Sequence, residues 1–220
     1  SREAYDQILV LNQSKVFHYL QVARAIQPKA RVTCAMSRIP WWMPLLRKFL
    51  GKPEVLYRPR PLPKDHHISN RYHALVEDLF GITLPPEERM PTLVVPEPHL
   101  QQARERLAAA FPRQEGRLIL LNARSTNPRR DWRPDQVTDL VSRIASEEAA
   151  HFILTAAPEH LAELEALLES WPRSLRDRAL PFSAQSHFFE LPALMSHADL
   201  VISVETAPLH FAFALQKPLI

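Results

Sequence analysis

A short segment near the end of the chain combines groups that could bind an anion. The residues "ETAPLH" (205–210) follow the apolar run "DLVISV" and precede apolar residues that predict a helix. Thr206 is placed to cap that helix, Pro208 lies in its first turn, and His210 is four residues from Thr206, on the same face. A hydroxyl, free backbone N–H groups and an imidazole would converge on one spot. A plain helix cap at Thr206 and a packed interior histidine at His210 remain open alternatives.

A second polar loop has similar chemistry. The segment "NARSTNPRRDW" (122–132) follows the apolar run "RLILLN" and is dense in hydroxyls and arginines. Open α/β sheets bind ligands at the carboxyl ends of their strands, and the first turns of the following helices offer N–H groups to anions. If the two preceding strands are neighbours, Ser125, Thr126 and Arg130 would lie around one pocket with Thr206 and His210.

The elements that must position these loops alternate between strands and helices. In the first half, the apolar patterns predict strands at 5–12 and 30–36, helices at 16–26 and 41–50, an extended piece at 54–57, and an amphipathic helix from 66 that ends near Gly81. Such alternation is typical of parallel βαβ units.

The alternation is interrupted and then restarts. Six prolines between Leu84 and Gly116 surround one helical stretch, 99–111. Beyond it the pattern predicts strands at 117–122, 151–156 and 199–204, an extended piece near Leu180, and helices that begin at Pro134, Pro158 and residue 188. We therefore expect a domain at 1–84, a linker at 85–112, and a domain at 113–220, each domain with its own parallel sheet.

Composition indicates a globular protein and is compatible with an anionic partner without requiring one. The chain has 220 residues, 46% hydrophobic and 23% charged, and a net charge of +3. Arginines supply 21 of the 27 basic residues, and the guanidinium suits bidentate contacts to phosphate, although solvated helix faces explain many of them equally well. Three glycines exclude a glycine-rich phosphate loop, and the single cysteine, Cys34, weakly favours a reducing compartment. No apolar run suits a membrane span or a signal peptide, so we expect a cytoplasmic protein.

The two polar regions carry a resemblance to a known family. "NARSTNPRRDWRPDQVTDLV" and "ADLVISVETAPLHFAFALQKPLI" resemble the two signature regions of the ADP-heptose:lipopolysaccharide heptosyltransferases, glycosyltransferase family 9. In that family the first region has hydroxyls and then a basic residue just before Trp and Pro, and the second has Asp-Thr-Gly with a His three residues later. "YDQILVLNQS" and "KDHHISNRYHALVEDLFGI" also resemble family segments.

The resemblance implies an α/β fold of GT-B type, with two Rossmann-like parallel-sheet domains that face a cleft. The implied reaction is the inverting transfer of heptose from ADP-heptose to the inner core of lipopolysaccharide, with no cofactor and no metal. The first domain would bind the acceptor and the second the nucleotide sugar. The implied donor-binding residues, carried over by position, are Ser125, Thr126 and Arg130 for the phosphates and Glu205, Thr206, Ala207 and His210 for the second phosphate and the sugar.

Some residues depart from the family pattern. Ala207 replaces a glycine, Glu205 replaces an aspartate, and Arg130 replaces a lysine. The glycine-aspartate segment that carries the family's catalytic base has no counterpart before "YDQILV", so no catalytic residue is assigned. We expect a fragment that binds nucleotide and does not catalyse transfer alone.

Three weaker patterns remain. The histidines at 66, 67 and 73 lack a nearby carboxylate pair, so packed or solvated side chains are favoured over a metal site. The basic segment "RPRPLPK" resembles the family's mobile acceptor-side loop, which would make Arg58, Arg60 and Lys64 acceptor ligands; an exposed linker is the alternative. Trp41 and Trp42 could contact the inner membrane peripherally or cover the core, and we favour the core position.

Two other functions stay open at this point. One is a related GT-B transferase that uses another nucleotide sugar, and the other is a non-catalytic member that only binds a ligand or partner, which Ala207 favours. Binding of ADP rather than UDP would separate the first from the heptosyltransferase. Nothing in the sequence indicates a nucleic-acid partner.

Overall fold

The protein divides into two compact units. The computed structural model describes residues 7–11, 19, 22, 25–26, 31–36, 57–61, 67–113 and 115–220. The first unit is Ser1–Arg89 and the second is Met90–Ile220. The predicted helix at 41–50, with its two tryptophans, lies outside the described residues.

Three strands among the described residues form a parallel sheet in the first unit. They are β1 (Gln7–Val10), β2 (Arg31–Met36) and β3 (Tyr57–Pro61), and β2 pairs with both of the others. The strands predicted around 5–12 and 30–36 are therefore confirmed.

The basic segment is in part a strand and not a loop. Arg58 and Arg60 lie in β3, so the loop prediction is wrong for residues 58–61, whereas Tyr57 is extended as predicted. Proline has no N–H to donate, and it is tolerated in strands mainly at sheet edges. Among the described strands β3 pairs only with β2, which suits Pro59 and Pro61. Lys64 lies outside the described residues.

A helix covers the end of the first strand. The helix α1 (Ile68–Phe80) begins after His67, whose Nδ1 accepts a hydrogen bond from the Ser69 N–H at 3.3 Å. It ends at Gly81, as predicted, because glycine readily adopts the left-handed φ of 64° that the cap requires. Leu75 is buried, and the Tyr72 hydroxyl donates to the Leu11 carbonyl at 2.8 Å.

The carboxylate of Glu77 secures the chain beyond this helix. It accepts a hydrogen bond from the Leu84 N–H at 2.7 Å and pairs with the Arg89 guanidinium at 2.9 Å. The Leu84 hydrogen bond and then the Arg89 pair hold the pKa of the Glu77 carboxyl below its ordinary value.

The second unit begins with a helix from the predicted linker. The helix α2 (Glu97–Ala110) starts after Pro96, and its Ala103 and Leu107 are buried in the core of the second unit. The whole of this helix lies within 85–112, so that segment contributes to the packing of the unit that follows.

Within residues 115–220, four parallel strands alternate with helices. In chain order the elements are β4 (Arg117–Asn122), α3 (Pro134–Glu147), β5 (Ala150–Thr155), α4 (Leu161–Glu169), α5 (Arg173–Arg176), β6 (Ala179–Phe182), α6 (Glu190–His197), β7 (Leu200–Ser203) and α7 (Ala207–Ala214). The strand order is β6-β5-β4-β7, so the first strand of the series lies between the second and the fourth. The short helix α5 was not predicted.

Helices cover both faces of this sheet because each strand is apolar on both sides. Leu118 and Leu120 of β4 pack in a cluster with α2, α6 and α7, while Ile119 and Leu121 pack in a cluster with α3, α4 and α5. Trp171 is buried in the second cluster.

A side-chain hydrogen bond and a glycine with a positive φ lie at the border of this core. The Trp171 indole N–H donates to the Thr138 hydroxyl at 2.9 Å. Gly116, just before β4, has a φ of 82°, and a β-carbon there would lie 1.8 Å from the Ala149 carbonyl oxygen. Only glycine fits this position, because the backbone next to β5 leaves no room for a side chain.

Candidate functional site

The two predicted donor loops leave neighbouring strands. β4 and β7 pair in parallel with Asn122 opposite Ser203, so the loops after them begin at the same edge of the sheet. The chain runs from β4 outward to β6 and then returns to the other side of β4, which makes this edge the point where the strand order reverses. Open α/β sheets bind ligands in the crevice at such a point.

A buried asparagine links the two strand ends. Asn122 is 4% exposed, and its side-chain amide donates to the Arg124 carbonyl at 3.1 Å and to the Ser203 hydroxyl at 3.2 Å. The Ser203 hydroxyl donates in turn to the Val204 carbonyl at 2.8 Å. The sequence patterns assigned no role to Asn122, although a polar residue at the end of an apolar strand could have indicated that it links two strand ends.

The loop after β4 is held by its own polar groups. The Ser125 N–H donates to Asp131 Oδ1 at 2.8 Å, and the Ser125 hydroxyl donates to the Asn127 carbonyl at 2.9 Å and accepts from the Asn127 N–H at 3.0 Å. A 3₁₀ turn follows at Pro128–Arg130. Ser125 is half-buried and its hydroxyl serves the loop, whereas Thr126 is exposed.

One ion pair joins the two loops. Arg130 Nη1 lies 2.8 Å from Glu205 Oε2 and donates to the Glu205 carbonyl at 3.2 Å. The structure thereby brings together two of the predicted donor-binding residues that are 75 positions apart in sequence. The pair lies at the surface, with the side chains 48% and 68% exposed.

The start of α7 follows directly from Glu205. Thr206 is the residue that precedes the helix and Pro208 lies in the first turn, as predicted, but the Thr206 side chain makes no capping hydrogen bond. The capping role of the hydroxyl is therefore wrong. Ala207 and His210 are exposed, which excludes a packed interior position for His210.

A cavity adjoins the loop after β4 on the side of α3 and α4. Its volume is about 140 Å³, and its lining is mostly apolar, with Leu121, Ala123, Trp132, Val137, Leu154 and Leu164 among the contributors. None of the predicted donor-binding residues, all of which the structure describes, lines it. The loop nevertheless forms one wall through Ala123, Arg124 and Trp132.

A polar cluster lies at this cavity. Arg124 pairs with Glu163, its Nη1 lies 3.1 Å from His160 Nδ1, and His160 Nδ1 lies 3.5 Å from Glu163 Oε1. The Arg124 guanidinium, followed by His160, holds the pKa of the Glu163 carboxyl below its ordinary value. No sequence pattern indicates this cluster, because Arg124 lies in the loop after β4 and Glu163 lies in α4, 39 positions further along the chain.

The other predicted groups lie elsewhere. Arg58 and Arg60 are in β3 of the first unit, and His67 precedes α1. Within the part of the chain that the structure describes, no three His, Cys, Asp or Glu side chains are grouped as a metal site would require.

Comparison with known proteins decides the family. The family description that matches the sequence is glycosyltransferase family 9 (heptosyltransferase), over residues 55–220. The chain belongs to glycosyltransferase family 9. The resemblance seen in the two signature regions is thus confirmed, and the protein is a glycosyltransferase of the heptosyltransferase type. No curated protein sequence matches this family 9 chain.

Solved structures of family 9 members share the fold. A family 9 glycosyltransferase from Veillonella parvula is 14% identical with a TM-score of 0.63, covering 100% of this chain and 80% of its own. The Escherichia coli heptosyltransferase WaaC with ADP-2-deoxy-2-fluoro heptose is 17% identical with a TM-score of 0.60, covering 99% and 61%. WaaC with ADP is 13% identical with a TM-score of 0.53, covering 97% and 86%.

These likenesses establish the α/β fold of GT-B type that the sequence predicted. Among the described residues of this family 9 member, every helix is too short or too polar to traverse a lipid bilayer.

Proposed function

We propose that this family 9 glycosyltransferase transfers heptose from ADP-heptose to the inner core of lipopolysaccharide, with inversion at the sugar carbon. The observation that carries the proposal is the contact between Arg130 and Glu205, which unites the loops after β4 and β7 where the strand order reverses. That crevice is where this class of sheet binds nucleotides.

The charges at this crevice suit a diphosphate leaving group. As the bond to the sugar breaks, negative charge develops on the nucleoside diphosphate, and fixed positive groups stabilise it. Arg130 provides a full charge, and the amino end of α7 adds the positive end of the helix dipole. Ser125 and Thr126 would bind the phosphates, with Glu205, Thr206, Ala207 and His210 around the second phosphate and the sugar.

The nucleoside would extend from the loop after β4 toward the cavity beside it. The cavity has the mostly apolar lining that is typical of ligand pockets, and Glu163 offers carboxylate oxygens to hydroxyl groups. Solved structures of WaaC with ADP and with an ADP-heptose analogue support an adenine nucleotide as the ligand.

The acceptor side is assigned to the first unit. Arg58 and Arg60 of β3, with Lys64 beyond it, would bind the anionic groups of the lipopolysaccharide core. We expect the protein to work in the cytoplasm, with a peripheral contact at the inner membrane to reach a lipid-linked acceptor.

Isothermal titration with ADP tests the donor site. A hydrogen bond to a charged group contributes about 1.5–3 kcal/mol, so Arg130→Ala should weaken ADP binding by about 10- to 100-fold. Arg129→Ala is the matched control, because Arg129 is an exposed arginine of the same 3₁₀ turn, and we expect it to change the affinity less than about twofold.

Two further results bear on the substrate. ADP should bind more tightly than UDP. Because no residue is assigned as the catalytic base, this chain alone should form no glycosylated product from ADP-heptose and a heptose-deficient lipopolysaccharide. Equal losses for Arg129→Ala and Arg130→Ala would contradict the donor site, and tighter binding of UDP would favour a transferase that uses another nucleotide sugar.

A further inference from the structure

Glu205 already pairs with the Arg130 guanidinium that a donor diphosphate would need. Its Oε2 lies 2.8 Å from Arg130 Nη1, and its carbonyl accepts from the same nitrogen at 3.2 Å. Under the proposed function this guanidinium neutralises the donor's phosphates. A phosphate oxygen that binds Arg130 must therefore share or replace the place that the carboxylate holds.

The geometry permits such an exchange. Both side chains are substantially exposed, at 48% and 68%, so the carboxylate can turn into water without leaving a buried group unpaired. Exposed ion pairs have a small net free energy, because water solvates the separated partners well. A ligand with two or three negative charges would displace the Glu205 carboxylate from Arg130, whereas a weakly charged ligand would not.

The position of Glu205 in the chain makes the competition more specific. It stands two residues before the first residue of α7, where the helix dipole favours an anion. The Thr206 hydroxyl makes no capping hydrogen bond, so it does not take the place of an anion at the helix start. The carboxylate therefore lies at the same loop and helix start to which the donor phosphates are assigned.

We propose that Glu205 is an internal competitor of the donor diphosphate for Arg130, and that this competition sets the affinity and charge selectivity of the site. This inference rests on the proposed function for its physiological ligand. The competition itself does not depend on that ligand, since any pyrophosphate group that reaches Arg130 must displace the same carboxylate.

The test uses inorganic pyrophosphate and ADP as probes of the whole chain, by isothermal titration. Because an exposed pair is weak, Glu205→Gln should tighten the binding of both probes by about two- to fivefold. Glu169→Gln is the matched control, because it removes the same charge from an exposed glutamate at the end of α4. It should leave both affinities unchanged, and far-UV circular dichroism should show the same fold in all variants.

A double-mutant cycle separates competition at Arg130 from a general charge effect. In an Arg130→Ala background, Glu205→Gln should produce clearly less gain than in the wild type, because no guanidinium is left to release. The affinity of Glu205→Gln should also fall more steeply with salt than that of the wild type, since the freed site carries more net positive charge.

The outcomes distinguish this inference from the proposed function. Unchanged or weaker pyrophosphate binding by Glu205→Gln, or an equal gain in the Arg130→Ala background, would overturn the competition while leaving the binding of ADP intact. Tighter pyrophosphate binding by Glu205→Gln, together with tighter binding of UDP than of ADP by the wild type, would support the competition and refute the proposed donor.

Discussion

Replacing Gly116 by alanine should destabilise the second unit more than a typical surface substitution. The φ of 82° belongs to the left-handed region, where a side chain costs about 1–2 kcal/mol. The added β-carbon would lie 1.8 Å from the Ala149 oxygen and 2.5 Å from its carbonyl carbon, so the backbone must move. Overpacking of this kind costs about 1–3 kcal/mol.

The same movement would disturb the hydrogen bond that the Arg117 N–H donates to the Ala149 carbonyl at 2.9 Å, a loss of about 1 kcal/mol. The total destabilisation is about 3–6 kcal/mol, a large part of the 5–15 kcal/mol or so that stabilises a typical domain. Amide hydrogen exchange of the β4 and β5 segments measures it, because exchange reports the opening free energy of each region separately.

Gly81→Ala is the control. Gly81 also has a positive φ, 64°, but a β-carbon there meets nothing within 4 Å. Only the conformational cost of about 1–2 kcal/mol should appear, and it should appear in α1. The reasoning about Gly116 is refuted if its alanine variant lowers the opening free energy of β4 by no more than Gly81→Ala lowers that of α1.

Three other substitutions have defined outcomes. Glu77→Gln should lower the thermal unfolding midpoint above the ordinary glutamate pKa of about 4.3, and the difference should disappear as the pH falls through the lower folded-state pKa, because the carboxyl stabilises the fold only while it is ionised. Asn122→Ala should cost about 1–3 kcal/mol in urea denaturation and weaken ADP binding, since its bond to Ser203 joins the two loops. Trp171→Phe should cost about 1–3 kcal/mol, and a double-mutant cycle with Thr138→Val should show coupling between the two side chains.

The sheet of the second unit was predictable because its signals are strong and local. The runs "RLILLN", "HFILTA" and "DLVISV" are too apolar for an exposed position and too short for a typical helix. Prolines are the first residues of α3 and of the turn before α4. The short helix α5 carries no such pattern over its four residues, so nothing in the sequence separates it from a turn.

The first unit shows where local signals fail. The prolines of "YRPRP" argue for a loop, and only the position of β3 at one side of the described sheet makes a strand acceptable. That position depends on the pairing of distant segments and is not written in the local pattern.

The site was predictable as a set of loops and unpredictable as a set of contacts. Strand ends identified the segments that contain Ser125, Arg130 and Thr206. Which side chains meet depends on rotamers and on the register between β4 and β7, so neither the Arg130–Glu205 pair nor the cluster of Arg124 with Glu163 could be read from spacing. The assignment of individual residues to the donor remains a prediction.

The strand order has a consequence for the time course of folding. Neighbouring strands β4 and β5 are separated by one helix, whereas Asn122 of β4 and Ser203 of β7 are 81 residues apart, and closing a longer loop costs more entropy. Contacts between distant segments are gained slowly, so we expect β7 to dock after β4, β5 and β6 have paired. Until that step the loop bearing Arg130 has no Glu205 and no helix start beside it. If the donor lies between these loops as proposed, its site is complete only after β7 has docked. A bound nucleotide should therefore slow the unfolding of the finished unit more than it speeds the assembly of the earlier strands.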